Sequence, residues 1–276
     1  MQQVLKTMLE NVRAKTPLVH NITNYVTVND VANVLLAAGG SPIMSDDADD
    51  VEDITSICGG LNINIGTLNK NTIPSMFLAG KKANELGHIV LLDPVGAGAS
   101  RLRTDTANRL MREVRFDAVR GNISEIKTLC TGSGSTKGVD ADAVDAVTEA
   151  NLDDGVQLVK TFAQRAGCIV AVTGAIDLVS DGERCWCIRN GRAEMSRITG
   201  TGCQLSALMT AFLVANPDHK LAAAAAAVCM MGLAGEIGWA NMQPGDGNST
   251  YRNRIIDAIF NMTGDALEKG AKYELR

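Results

Sequence analysis

Ile89-Val90-Leu91-Leu92-Asp93-Pro94-Val95-Gly96-Ala97-Gly98 decides how the rest of the chain is read. Its first four residues are apolar without alternation, which fits a strand covered on both faces, as in a parallel sheet. The acid closes the strand, and Asp-Pro opens a turn. Ligands of open α/β sheets collect at the carboxyl ends of the strands. Asp93 therefore stands where it could hold Mg²⁺ directly or through water. The glycines that follow suit close backbone approach by a ligand, with a plain turn as the alternative.

Outward from this stretch, strand-like and helical patterns alternate. Residues 41–44, 61–65 and 168–172 read as further strands, and 29–38, 73–86, 104–114 and 152–165 as helices. Such alternation implies crossover units, a mostly parallel central sheet and helices on both faces: a three-layer α/β fold. Residues 176–180 and 183–188, joined through Asp181-Gly182, suggest a small antiparallel edge. Val4, Met8, Leu9 and Val12 repeat at helical spacing near the start, and the C-terminal third reads as helix from Thr201 to the end. No internal repeat and no Pro/Gly linker divides the chain, so residues 1–276 are expected to form one domain. The segment 132–154, rich in Gly, Ser, Thr, Asp and Ala, reads as a surface loop or a weak helix.

Composition narrows the function. Hydrophobic residues make up 46% and charged ones 21%, an ordinary globular balance, and with 4% aromatics the core must be built of aliphatic residues, Ala and Met. A net charge of −5 offers no basic footprint, so a nucleic-acid partner is not expected. The seven cysteines show no pairing or zinc spacing, and the first ten residues lack the apolar core of a leader, which together suggest a reducing cytoplasm. The apolar run 221–235 falls short of the ~20 residues of a bilayer span and reads as a buried helix, so no membrane association is expected.

The common phosphate loops are absent: no G-x-x-x-x-G-K-[ST] or G-x-G-x-x-G occurs. Thr199-Gly200-Thr201-Gly202-Cys203 offers another route, since small residues ahead of a helix leave its first N–H groups bare for an anion. A capped connection is the alternative. In Arg120-Gly121-Asn122-Ile123-Ser124-Glu125, Asn122 and Glu125 share a helix face and could serve a metal–phosphate cluster, with Arg120 clamping phosphate. The same spacing also makes a capping box. Val172-Thr173-Gly174 ends another apolar strand and could meet a nucleotide. The polar cluster His20-Asn21-Ile22-Thr23-Asn24, which leads into Ser41-Pro42-Ile43-Met44, could line a small-molecule pocket or simply turn the chain.

These motifs, with Asn64-Ile65-Gly66-Thr67-Leu68, stand in an order that resembles the ribokinase-like superfamily, and within it the hydroxyethylthiazole kinase family, over essentially the whole chain. The resemblance implies ATP-dependent phosphorylation of the hydroxyl of 4-methyl-5-(2-hydroxyethyl)thiazole, in thiamine synthesis and salvage. It places Met44 and Gly200 at the thiazole, with Asn24 in the neighbouring polar cluster. Arg120, Thr173 and Asn122 fall on the ATP side. By the same resemblance Asp93 and Glu125 match the acids that organise Mg²⁺. Gly200 and Gly202 belong to the anion hole, and Cys203 lies beside the attacking hydroxyl, where most of the superfamily has Asp. With Gly202 and Arg120, Cys203 completes the implied catalytic set. A homotrimer with sites near subunit interfaces is also implied. Lys137-Gly138-Val139-Asp140 is the only part of 132–154 that follows the family pattern. Two other readings stand beside this one: an ATP-dependent dehydratase of hydrated nicotinamide nucleotides on the same fold, and a catalytically silent nucleotide-binding oligomer.

Overall fold

The computed structural model describes residues 3–132 and 146–276. In chain order the elements are α1 (Val4–Lys15), β1 (Leu18–Ile22), α2 (Val28–Ala38), β2 (Ser41–Met44), α3 (Val51–Ile57), β3 (Gly60–Asn64), α4 (Thr72–Leu86) and β4 (Ile89–Asp93). There follow α5 (Arg101–Glu113), β5 (Ala118–Asn122), α6 (Ile123–Thr131), α7 (Leu152–Ala166), β6 (Ile169–Thr173), β7 (Asp177–Ser180) and β8 (Cys185–Ile188). The chain ends with α8 (Thr201–Ala215), α9 (Lys220–Ala240), α10 (Asn248–Asn261), α11 (Gly264–Gly270) and β9 (Tyr273–Leu275). Of the segment 132–154, residues 133–145, with Lys137–Asp140 among them, lie outside the described part.

The strands form one sheet in the order β2-β1-β3-β4-β5-β6-β7-β8-β9. The first six run parallel, and β7, β8 and β9 add an antiparallel edge. The apolar run of β4 explains the layering. Ile89 and Leu91 enter a core with α1, α8, α9 and α10, while Val90 and Leu92 enter a second core with α4, α5, α6 and α7. A strand buried on both faces needs apolar residues at every position, and β4 has them until Asp93.

Three strands escape periodicity. β1 reads Leu-Val-His-Asn-Ile and β5 reads Ala-Val-Arg-Gly-Asn, so polar residues inside each strand break the apolar run that would reveal it. In particular, Arg120 and Asn122 lie on a strand and at its end, and the helix begins only at Ile123. The C-terminus is also not helical throughout: β9 pairs with β8, and the Trp186 and Tyr273 rings lie 4.3 Å apart. Three residues are too few to show a period.

The length argument for 221–235 fails, although the reading as a buried helix stands. The continuous helical stretch Pro217–Ala240 has 24 residues and is long and apolar enough to cross a membrane. Most of it is buried in a core, packed against α8 and α10. All seven cysteines are free thiols.

Candidate active site

Four neighbouring parallel strands end side by side in polar residues. Asn64 lies in register with Asp93, and Asn122 with Thr173. The N-terminus of α8 supplies Gly202, Cys203 and Ser206 to the same group of contacts.

Asp93 is fully buried. Its Oδ2 accepts from Asn64 Nδ2 at 2.7 Å and from Ser206 Oγ at 2.8 Å, and Arg120 Nη1 stands 3.8 Å away. Its Oδ1 is buried without a partner among the described residues. Burial pushes the carboxyl pKa up, opposed by the Arg120 charge and the two hydrogen bonds.

Glu125 forms the cap that its spacing allowed and a further contact that the spacing did not show. The capping box is present: Asn122 Oδ1 accepts the Glu125 N–H at 2.9 Å, and Glu125 Oε2 accepts the Asn122 N–H at 2.8 Å. The other oxygen, Oε1, accepts the Gly96 N–H at 2.7 Å, tying the loop after β4 to the start of α6. Burial and the nearby Asp93 charge push its pKa up to about 7.

Arg120 reaches across from β5, and its Nη2 donates to Thr173 Oγ1. The guanidinium lies against Gly202, where a Cβ would come within 2.4 Å of Nη1. Glycine at 202 is therefore what allows an arginine over the first turn of α8. Gly200 meets a different constraint: its φ is +88°, and a Cβ would lie 2.3 Å from Thr27 Cγ2.

Cys203 is held by amides. Asn24 Nδ2 and Asn64 Nδ2 each donate to its Sγ at 3.2 Å, and Asn24 Nδ2 also donates to Asn64 Oδ1 at 3.1 Å. A continuous chain thus runs from Asn24 through Asn64 to Asp93. Burial first, then the Asp93 charge, push the thiol pKa up, so the helix N-terminus does not make a thiolate here. Cys203 packs with Val31, Leu35 and Ala207, and Met44 and Val95 border that cluster. Met44, Asn24 and Cys203 therefore lie together on one side, Arg120 and Thr173 on the other, with Asp93 linked to both by Asn64 and Arg120.

Several participants went without a role in the sequence reading. Asn64 belonged to a quoted motif, and its place at a strand end beside Asp93 was the available signal. Ser206 sits three residues after Cys203, hence on the same helix face. Thr27, whose hydroxyl donates to Asn24 Oδ1 at 3.1 Å, had no local signal. Asp177 accepts the Gly174 N–H at 2.8 Å, and burial lifts its pKa to about 7 against the Arg120 charge. It fastens the turn that follows Thr173.

Residues 9–265 match the model of the hydroxyethylthiazole kinase family. The chain belongs to this family. A hydroxyethylthiazole kinase of Clostridium acetobutylicum is 57% identical over 98% of this chain and 99% of its own length. The structure of a hydroxyethylthiazole kinase protein from Pyrococcus horikoshii superposes with a TM-score of 0.88 at 32% identity, covering all of both chains. An ADP/ATP-dependent NAD(P)H-hydrate dehydratase from Bacillus subtilis has a TM-score of 0.56 at 12% identity, over 91% of this chain and 96% of its own, and shares the fold alone. Family membership agrees with the ribokinase-like α/β architecture seen in the sheet order.

A neutral Cys203 between two amide donors leads to an expected result. Cys203→Ala should keep at least about a tenth of kcat, because the N–H groups of the α8 N-terminus remain to stabilise an anion. Cys203→Asp should match or exceed the wild type, since it gives Asn24 and Asn64 a carboxylate to donate to. Steady-state kcat at saturating substrates, with thermal unfolding as a folding control, measures both. A well-folded Cys203→Ala without turnover would show that the thiol is indispensable.

Proposed function

We propose that this protein transfers the γ-phosphoryl group of ATP to the primary hydroxyl of 4-methyl-5-(2-hydroxyethyl)thiazole. The observation that carries the reading is the polar chain Asn24–Asn64–Asp93, which joins the thiol of Cys203 to the guanidinium that lies over Gly202. Met44 packs against the cluster of Cys203, at the N-terminus of α8, where bare N–H groups could hold an anion.

Mg²⁺ fits these residues. Among the described residues no three His, Cys, Asp or Glu gather to hold a metal alone. Mg²⁺ with a nucleotide usually needs only one or two carboxylates, taking its other ligands from water and phosphate. Asp93, with its unpartnered Oδ1, is the direct candidate. Glu125 already serves two N–H groups and would act through its remaining lone pairs. When bound, the ion neutralises charge on the β- and γ-phosphates. Arg120 and Thr173 hold the phosphate chain, and the N–H groups after Gly202 receive the moving phosphoryl group. Asn24 and Cys203 orient the substrate hydroxyl for in-line attack. Phosphoryl transfer depends on positioning and charge stabilisation more than on a strong base, which suits a neutral thiol.

The reading places the enzyme in cytoplasmic thiamine synthesis and salvage, as a homotrimer. Tyr25 and Val26, next in the chain to Asn24, are 78% and 56% exposed and would suit cover by a neighbouring subunit. Mass spectrometry of the product from ATP, Mg²⁺ and the thiazole alcohol tests the activity. Thiazole phosphate and ADP are expected, and reaction of hydroxymethylpyrimidine in place of the thiazole would overturn the substrate. Turnover of hydrated NADH would favour the dehydratase. Light scattering on the same sample should exceed the 29.1 kDa of one chain, and an active monomer would exclude the trimer.

A further inference from the structure

β1 carries a histidine that the chemistry above does not use. His20 is fully buried. Its Nε2 is 2.9 Å from the Ser45 carbonyl oxygen, and its Nδ1 is 2.9 Å from Thr55 Oγ1 on α3. A carbonyl oxygen can only accept, so Nε2 bears the hydrogen, and the Thr55 hydroxyl donates to Nδ1. Both ring nitrogens are occupied in the neutral form, in keeping with a pKa that burial lowers.

The carbonyl that His20 holds belongs to the residue after Met44. In the parallel pairing, Ile43 stands opposite His20 and Met44 opposite Asn21. Alternation then puts Met44 on the Val19 side of the sheet, where it packs against the Cys203 cluster, and His20 on the α3 side. Among the described residues β2 is an edge strand, paired only with β1. Past Met44 the chain leaves the sheet, with Ser45 Oγ donating to Asp50 Oδ2 at 2.5 Å. One N–H reaching through from behind the sheet thus anchors the end of the strand that bears Met44.

We propose that His20 is a positioning residue for the alcohol substrate, holding Met44 in place through the Ser45 carbonyl without touching the substrate itself. The inference rests on the assignment of Met44 to the substrate side.

The test compares His20→Leu with His20→Gln, whose side-chain amide can still donate to the carbonyl. Loss of one buried hydrogen bond predicts that His20→Leu raises the KM for the thiazole alcohol about tenfold. Its kcat at saturation and its KM for ATP should stay within about twofold, and His20→Gln should recover most of the thiazole KM. If His20→Leu does not fold, Thr55→Val, which removes the donor to Nδ1, should raise the same KM about threefold. An unchanged thiazole KM, an equal rise in the KM for ATP, or no difference between Gln and Leu would overturn the proposal. Hydrogen exchange gives a readout that needs no activity. Amides of residues 45–50 should exchange faster in His20→Leu than in the wild type, and not in His20→Gln. A wild type that makes no thiazole phosphate would sink the substrate assignment, while exchange would still decide whether His20 pins this segment.

Discussion

Asp93→Asn is expected to lower kcat by about 10²- to 10³-fold with no loss of thermal stability. The two effects separate because of how the carboxylate is held. Asn64 and Ser206 both donate to Oδ2, and an asparagine can present its carbonyl oxygen there, so the packing survives. The amide nitrogen then takes the place of Oδ1, the buried oxygen without a partner, and a metal or phosphate-bound water meets a donor where it needs an acceptor. Burial raises the Asp93 pKa, so the folded state favours the proton. The stability this gives is complete at acid pH and is lost as pH rises through the folded pKa. The neutral variant should therefore gain on the wild type as pH rises. Glu125→Gln should behave differently, because both of its oxygens accept backbone N–H groups. A glutamine must turn its NH₂ toward one of them, at a cost of about 1–3 kcal/mol, more than a lost cap alone. It should also lack the wild type's decline in stability between its ordinary 4.5 and about 7. Turnover at limiting Mg²⁺ and unfolding across pH measure both variants, and wild-type turnover in both would make these acids structural only.

Gly202→Ala should cut kcat/KM by at least about 10²-fold in a protein that folds as well as the wild type. The new Cβ would meet Arg120 at 2.4 Å from Nη1, 2.8 Å from Nη2 and 2.9 Å from Cζ. All three atoms belong to the tip of a long, flexible side chain, so the side chain yields and the helix does not. Its movement breaks the bond to Thr173 and the approach to Asp93. Alanine is also the better helix former, which offsets part of any strain. The KM for ATP should rise with the loss of turnover. Wild-type kinetics in Gly202→Ala would mean that the position of the guanidinium over α8 is not used.

What could be read without coordinates follows from where apolar residues are continuous. β4 is apolar up to Asp93, and its reading led directly to the layers and to the edge where the site lies. The Asp93, Glu125 and α8 motifs could be found because an acid or a glycine breaks an apolar pattern visibly. β1 and β5 could not, since their polar residues are buried or half-buried and satisfied by partners distant in sequence: His20 by Thr55, Asn21 by Asn62, Arg120 by Thr173. Local spacing also left Glu125 divided between cap and site. Only the approach of Gly96, 29 residues away in sequence, shows that one carboxylate serves two loops.

The long apolar helix α9 carries a consequence for how the chain is made. Its largest helix partner is α10, which comes after it in the sequence. Until residues 248–261 have left the ribosome, 24 helical residues apolar enough for a lipid bilayer have no cover on that side. Among the described residues, α8 and α1, which precede α9, are the helices then available to shield it. The same helix that completes the native core is thus, during synthesis, the segment most exposed to membranes and to other nascent chains, and the arrival of α10 ends that interval.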